Sequence, residues 1–151
     1  LPFHRAGMEV DGGSLRLPLK PVLTWKTRIL AIRDVGPIQH IGYGGSYVTR
    51  DASRLAVMPV GYADGLNRAL SSRGQVIVRG QFAPIVGRIA MDITLADVTG
   101  LPGASVGDEV ILLGAADGLS MDAHRHATLS GTIVYEILCD ISKRVPRRYH
   151  G

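Results

Sequence analysis

The sequence of 151 residues is poor in cysteine and in aromatic side chains, with one cysteine and only 5% Phe, Trp and Tyr. The lone Cys139 excludes a framework of internal disulfides and is compatible with a reducing cytoplasm, the location that we expect. No apolar run approaches the roughly 18 residues needed to span a bilayer, so we expect no membrane partner. Residues 1–13 lack a signal-peptide pattern because Arg5 and Glu9 interrupt any apolar core. The start at Leu1 suggests a fragment or a processed chain.

The sequence has an excess of basic residues, but they are not organised as nucleic-acid binding requires. The formal net charge is +4 and the pI is about 9.6. The basic residues are scattered, apart from a cluster at residues 143–148, and aromatic residues do not interleave with them to form a base-stacking surface. We therefore expect no nucleic-acid partner. The competing interpretation, a basic β barrel that binds RNA, predicts retention on nucleic acid that weakens with salt.

Glycine (19 residues) and proline (8 residues) are spread along the chain and separate short stretches rich in β-branched residues. This punctuation is typical of a domain with many strands. A hairpin is expected around residues 79–81. We predict a mainly β fold, either a barrel or a sandwich, with one or two short helices late in the chain. The predicted strands are residues 23–35, 54–60, 75–78, 83–86, 92–98 and 109–113.

Two helices are predicted after the strands. Ser120 can cap a short helix over residues 121–127. A second helix is expected to open at residues 131–132, because apolar residues then recur every four positions. These positions are Ile133, Ile137 and Ile141.

The first 20 residues differ from the rest of the chain. Residues 1–10 are consistent with one strand and its loop, and residues 11–14 with a turn or linker. A lone strand cannot bury its apolar face, so we expect residues 1–20 to come from another domain and its linker. Residues 21–151 would then form the β domain.

Three glycine-rich elements carry side chains that could do chemistry. They read Gly-Tyr-Gly-Gly-Ser-Tyr at residues 42–47, Gly-Tyr-Ala-Asp-Gly at 61–65 and Gly-Arg-Ile-Ala-Met-Asp at 87–92. Glycine lets a backbone bend sharply or lie close to a ligand. A tyrosine within such a bend presents a phenol that can donate, accept or transfer a proton. Taken singly, each of the two tyrosine elements could equally be a tight turn whose tyrosine packs at a strand end.

In this order the elements resemble the C-terminal domain of alanine racemases, which use pyridoxal 5′-phosphate (PLP). That family carries Tyr-Gly-x-x-Tyr, Pro-x-Gly-Tyr-Ala-Asp-Gly, Gly-Arg-x-x-Met-Asp, Thr-x-x-Tyr-Glu and Arg-Val-Pro-Arg. The resemblance covers nearly all of residues 22–149 and implies a homodimeric isomerase that supplies D-alanine, a cell-wall precursor. The five elements stand here at residues 43–47, 59–65, 87–92, 132–136 and 144–147.

The resemblance implies that Tyr43 is the catalytic tyrosine, which exchanges the Cα proton on the L face of the amino acid. A phenol with its ordinary pKa of about 10 needs help to act as a base near neutrality. In the family that help comes from the barrel domain. Met91 corresponds to a residue whose backbone amide binds the substrate carboxylate, and Tyr135 to a tyrosine that hydrogen-bonds the cofactor phosphate.

Further residues correspond to the family's substrate access channel. Cationic groups there would attract amino-acid carboxylates. The plainer alternative for the two arginines is a solvated surface charge. The residues concerned are Tyr62, Arg68, Arg88 and Ile133.

Residues 5–12 resemble the last part of the family's (β/α)8 barrel. The resemblance implies that Arg5 faces the pyridine nitrogen of PLP and that the amides of Gly7 and Met8 reach its phosphate. Glu9 and Asp11 replace the apolar residue and the tyrosine usual at those positions, which predicts an altered, charged strand.

The family's Schiff-base lysine, in an Ala-Asn-Ala-Tyr-Gly-His-Gly-like stretch, has no counterpart in residues 1–151. PLP chemistry normally starts from that lysine. The chain alone is therefore predicted neither to hold PLP firmly nor to racemise alanine or another small amino acid. In the family's head-to-tail dimer, each β domain delivers the equivalent of Tyr43 into the cofactor site of the partner subunit.

Other features favour structural interpretations. Cys139 lies within the second predicted helix and is expected to pack. His124 and His126 would point to different sides of a helix, so we expect no metal site. A β module that dimerises or binds a ligand without catalysis is the alternative to the racemase interpretation.

Overall fold

The computed structural model describes residues 8–10, 13–15 and 21–150. The first two segments are short strands, β1 (Met8–Val10) and β2 (Gly13–Leu15), which pair antiparallel. The rest of residues 1–20 lies outside the described part of the chain. The assignment of residues 1–20 to another domain therefore stays a prediction.

The described residues after position 20 are mainly β, as predicted, and end with two short helices. The strands are β3 (Trp25–Arg28), β4 (Ala31–Val35), β5 (His40–Ile41), β6 (Tyr47–Val48), β7 (Ser53–Met58), β8 (Gln75–Val78), β9 (Gln81–Val86), β10 (Thr94–Asp97), β11 (Glu109–Ala116) and β12 (Leu119–Met121). Within this part of the chain, eight strands form one antiparallel sheet in the order β12-β11-β8-β9-β10-β7-β4, with β3 also paired to β11. β5 and β6 form a separate small pair.

The link between β3 and β4 closes this sheet on itself. β3 pairs with β11 at one side of the sheet, whereas β4 pairs with β7 at the other. Ile29 exchanges backbone hydrogen bonds with residues 107–108, and Leu30 donates to the Val57 carbonyl. The prediction of one continuous strand over residues 23–35 is thus wrong, because the chain changes its pairing partner at the buried Ile29.

The main core lies between the layers of this curled sheet. Alternate residues of the central strands point into it, as the two-residue period of a strand requires. At roughly 1.5–3 kcal/mol for each fully buried large aliphatic side chain, this core is the principal source of stability. Among the fully buried side chains are Met58, Val78, Ala96, Val110 and Leu112.

The hairpin between β8 and β9 forms where the sequence predicted it. Arg79 and Gly80 both have positive φ, at 48° and 70°, which is the conformation of the two-residue turns that match strand twist. β11 is longer than predicted and continues through Gly114, whose φ of 133° would strain any other residue.

The first helix, α1 (Ala123–Ser130), begins later than predicted. Ser120 does not cap it, because Ser120 lies in β12 and pairs with Ala115 of β11. Asp122 is the cap instead, and its carboxylate accepts a hydrogen bond from the Arg125 amide at 2.8 Å. Gly131, with φ of 70°, ends α1 and does not open the next helix.

The second helix, α2 (Val134–Asp140), has Ile133 as its N-cap. Ile137 and Ile141 are buried, as the four-residue repeat predicted, but Ile133 is exposed. The expectation that Cys139 packs in the interior is wrong, because its side chain faces solvent. In the described residues, neither helix has the length and hydropathy of a membrane span.

Candidate active site

The first tyrosine turn projects Tyr43 into solvent. A 3-10 turn at Tyr43–Gly45 connects β5 to β6, and Tyr43 is 75% exposed. Gly42 has φ of 78°, and a Cβ on it would lie 3.4 Å from the Arg88 amide nitrogen. Glycine at position 42 therefore permits both the turn and its close contact with the Arg88 segment.

The loop that carries Arg88 is held by three serine hydroxyls. Ser46 of the first turn accepts a hydrogen bond from the Arg88 amide at 3.0 Å. Ser72 accepts one from the Gly87 amide at 3.1 Å, and Ser71 accepts one from the Ile89 amide at 3.0 Å. These bonds attach Arg88 to the turn of Tyr43 on one side and to the turn of Arg68 on the other.

The second tyrosine turn, Tyr62–Asp64, docks on the same loop. The amides of Tyr62 and Ala63 donate to the carbonyls of Ala90 and Met91, each at 3.0 Å. A Cβ on Gly61 would lie 2.2 Å from the Ala90 oxygen, so only glycine allows this approach. Tyr62 and Met91 are thereby brought together at the surface, each about half exposed.

The segment after α2 contacts the second turn at Asp64. The Ser142 amide donates to the Asp64 carbonyl at 3.0 Å. Arg144 lies 3.4 Å from the Asp64 carboxylate and donates to Asp92 at 2.5 Å. The hydrogen bond with Asp92 and the charge of Asp64 raise the pKa of the Arg144 guanidinium above its ordinary value.

A shallow pocket of about 290 Å³ lies between the second turn and the end of α2. Arg68, in the 3-10 turn Arg68–Leu70, lines this pocket together with Tyr62. α2 approaches closely, since a Cβ on Gly65 would lie 2.3 Å from the Asp140 carbonyl oxygen. Tyr135 and Ile133 lie exposed at the other end of α2. The complete lining is Tyr62, Gly65, Asn67, Arg68 and Asp140.

The structure thus brings four of the sequence elements into contact, at residues 42–47, 61–65, 87–92 and Arg144. Tyr43 and Arg88 share one pair of docked loops, Tyr62 and Met91 share a second, and the end of α2 lines the pocket at Asp140. Of the cofactor-side residues, Arg5 and Gly7 fall outside the described residues. Met8 lies in β1, where the backbone alone is described. Among the described residues, no cluster of three or more His, Cys, Asp or Glu could hold a metal ion.

Several residues that organise the site had no role assigned from the sequence. Asp64, Asp92 and Arg144 lie within the recognised elements, but the ion pairs of Arg144 with the two aspartates join positions 80 and 52 residues apart. Ser71 and Ser72 lie outside every recognised element. The one local signal for them is the polar Ser-Ser-Arg-Gly stretch at residues 71–74, which is typical of a turn.

Known proteins similar to this chain are alanine racemases. Residues 22–149 match the family described as alanine racemase, C-terminal domain. The alanine racemase of Halothermothrix orenii is 53% identical over 133 residues, which cover 88% of this chain and 35% of that protein. That of Clostridium perfringens is 48% identical and covers 88% of this chain and 34% of that protein. The chain therefore spans about a third of the length of these relatives.

Solved structures give the same result. The alanine racemase of Bartonella henselae with covalently bound pyridoxal phosphate superposes with a TM-score of 0.83 at 37% identity, over 89% of this chain and 36% of that one. The alanine racemase from D-cycloserine-producing Streptomyces lavendulae has a TM-score of 0.83 at 39% identity, over 88% of this chain and 35% of that one. The chain belongs to the alanine racemase C-terminal domain family.

Proposed function

We propose that this chain is the C-terminal part of a PLP-dependent alanine racemase, which interconverts L- and D-alanine. The observation that carries the proposal is the convergence of Tyr43, Tyr62, Arg88 and Met91 on adjoining docked loops. Relatives that are alanine racemases, including one solved with covalently bound pyridoxal phosphate, support the same function. We expect the protein to act in the cytoplasm.

The described residues are proposed to supply part of the site for a phosphorylated cofactor and a small amino acid. When bound, PLP supplies an electron sink that makes the substrate Cα proton labile. Tyr135 is a hydroxyl donor at the exposed start of α2, suited to a phosphate oxygen. Arg5, Gly7 and Met8 are proposed for the ring nitrogen and the phosphate. The lysine-bearing domain would supply the covalent attachment.

Tyr43 is proposed to move a proton at the substrate Cα on the L face. Its hydroxyl is accessible at the end of a turn fixed by Gly42, so it can enter a cavity formed by another polypeptide surface. In a homodimer, this projection would place the Tyr43 hydroxyl in the cofactor site of the partner subunit. The base that serves the D face would be the lysine of the barrel domain.

Met91 is proposed to bind the substrate carboxylate through its amide. None of the described residues accepts a hydrogen bond from that amide, whereas the Met91 carbonyl accepts one from Ala63. Arg68 and Arg88 are exposed cations on the neighbouring turns and would attract the carboxylate. Tyr62 and Ile133 would line the access channel with them.

The role of Tyr43 is tested in a fusion that places this chain after the barrel domain of the Halothermothrix orenii enzyme. Tyr43→Phe is expected to lower kcat roughly 100- to 10,000-fold, the usual contribution of a general acid or base. The absorbance of bound PLP should stay unchanged. Tyr149→Phe removes a hydroxyl from an exposed tyrosine outside the docked loops and should retain full activity. Racemisation by Tyr43→Phe at the parental rate would contradict the assignment of Tyr43 as the residue that moves the proton.

The need for the barrel domain is tested with the unmodified chain. Racemisation of L-alanine with added PLP is measured for the chain alone and for the chain mixed with a separately made lysine-bearing barrel domain. Racemisation by the mixture, with none by the chain by itself, supports the proposal. A stable dimer of the chain that neither binds PLP nor restores activity would favour the alternative, a non-catalytic β module. The observation that favours this alternative is that residues 1–151 contain no stretch like that of the family's Schiff-base lysine.

A further inference from the structure

Arg144 lies between the two loops that hold Tyr62 and Met91. Its Nε is 3.4 Å from Asp64 Oδ1 in the second tyrosine turn, Tyr62–Asp64. Its Nη2 donates to Asp92 Oδ1 at 2.5 Å in the loop of residues 87–92, which we call the methionine loop. A guanidinium can serve two carboxylates at once because its donors form a rigid planar fork. One side chain therefore spans both loops.

The Asp64 carboxylate uses both of its oxygens at this junction. Oδ2 accepts the Gly61 amide at 2.9 Å and so shapes the turn that presents Tyr62. Oδ1 faces Arg144, and the side chain is only 14% exposed. A carboxylate this buried is costly without a charged partner, which ties the shape of the turn to Arg144.

Arg144 itself is presented by a braced segment. Arg147 donates to the carbonyls of Ile141, Ser142 and Val145 at 2.7–2.8 Å, which holds the chain after α2 in one conformation. The Arg144 amide also donates to the Ser142 hydroxyl at 3.1 Å. The backbone that carries the Arg144 guanidinium is consequently fixed in position.

The methionine loop needs such a restraint. Met91 and Asp92 are exposed, and the loop is joined to the tyrosine turn by two backbone hydrogen bonds, from Tyr62 and Ala63. We propose that Arg144 is a positioning residue that keeps the Met91 amide in register with Tyr62, so that the amide meets the substrate carboxylate. The effect on substrate binding rests on the proposed function. The coupling of the two loops by Arg144 does not, because it can be measured in this chain without substrate or cofactor.

The coupling is tested by amide hydrogen exchange on the full chain without any cofactor. Arg144→Gln should speed exchange of the Tyr62 and Ala63 amides, whose acceptors lie in the methionine loop, and leave the β8–β9 hairpin unchanged. Arg79→Gln is the matched control, since Arg79 is 55% exposed against 53% for Arg144 and pairs with Asp108 at 3.5 Å. Asp92→Asn should reproduce the effect, and the double variant should add nothing to it. Unchanged exchange in Arg144→Gln would overturn the proposal.

The effect on substrate is tested in the barrel fusion described above. Arg144→Gln is expected to raise KM for alanine roughly tenfold with kcat changed less than about twofold, because binding of the carboxylate is weakened and proton transfer is not. Arg144→Lys keeps the charge but cannot span both carboxylates, so it should behave like Arg144→Gln. A parental KM in Arg144→Lys would contradict the positioning role of Arg144. An unchanged KM in Arg144→Gln, despite faster amide exchange at Tyr62 and Ala63, would also contradict it. A parent fusion without activity would count against the proposed function, and the exchange data would still decide the coupling.

Discussion

At the scale of single residues, Gly61 is a position that tolerates no side chain. A Cβ there would lie 2.2 Å from the Ala90 oxygen and 2.4 Å from the Met91 oxygen, both backbone atoms of the docked loop. Gly61→Ala is therefore expected to lower the free energy of unfolding by about 2–3 kcal/mol, the usual effect of overpacking. Urea denaturation of the full chain measures the change.

The matched control for this substitution is Gly100→Ala. No atom lies within 4 Å of a Cβ at Gly100, and its φ is outside the left-handed region. We expect a change within about 0.5 kcal/mol, as for most surface substitutions. Equal stability losses in the two variants would show that the loop beside Gly61 moves away easily.

The tyrosine turns of the candidate site could be predicted from the sequence, but the hydrogen bonds that support the neighbouring loop could not. Tyr43 and Tyr62 stand in recognisable glycine-rich elements, and both are exposed on turns in the structure. Their chemical roles stay predictions. The hydroxyls of Ser71 and Ser72 support the Arg88 loop through bonds that span 18 and 15 residues, and no local pattern indicates such bonds.

At the scale of elements, α1 is attached to the sheet through a buried histidine. His126 is 4% exposed, and burial lowers the pKa of its imidazole below the ordinary value despite a hydrogen bond to the Leu112 backbone, which raises it. The charge of Asp122 also raises this pKa, and Arg125 lowers it. The folded protein consequently favours neutral His126 more than the unfolded chain does.

The pH dependence of stability follows from that difference. Below about pH 6.5 the unfolded chain takes up a proton at this histidine before the folded protein does, so the unfolding free energy falls with falling pH by at most about 1.4 kcal/mol per unit. Above that pH the contribution is fully present. Urea titrations between pH 8 and 5 should show a shallower slope for His126→Gln than for the parent. His124→Gln, at an exposed position of the same helix, should keep the parental slope. Identical slopes for both variants would contradict the assignment.

Elements were predictable where the local pattern acts alone. Arg79-Gly80 specifies the hairpin because its two residues adopt the positive φ that the turn needs. The start of α1 was misassigned because Ser120, a good cap in isolation, is engaged in the β12–β11 ladder. The single strand predicted over residues 23–35 is divided in two because its first part pairs with β11 and its second part pairs with β7. Tertiary pairing prevailed over local preference in both cases.

At the scale of the whole molecule, the charge of +4 is dispersed and partly neutralised. In the described residues, five ion pairs use basic side chains, including Lys26 with Glu109 at 2.8 Å and Arg54 with Asp34 at 3.5 Å. We expect no retention of the chain on immobilised RNA at about 150 mM salt, where nonspecific phosphate contacts are weak. Salt-sensitive retention under those conditions would favour the RNA-binding interpretation.

The convergence of the site was the least predictable property of the sequence. Each sequence element could be recognised separately, but their contacts depend on how the strands pair. Antiparallel pairing of β7 and β9 with β10 places residues 61–65 and 87–92 at the same end of the sheet. Because this pairing joins residues far apart in the chain, local patterns do not specify it.

The ion pair between Arg144 and Asp92 has a consequence for how the protein is made. It joins positions 52 residues apart, and Arg147 braces the segment from three residues further on. During synthesis the Tyr62 turn and the Met91 loop leave the ribosome well before the arginine that links them. The surface that carries Tyr62 and Met91 can therefore reach its final geometry only after residues 144–147 have left the ribosome, and contacts of such long range form slowly. A nascent chain stalled before residue 144 would have the tyrosines but not their final arrangement.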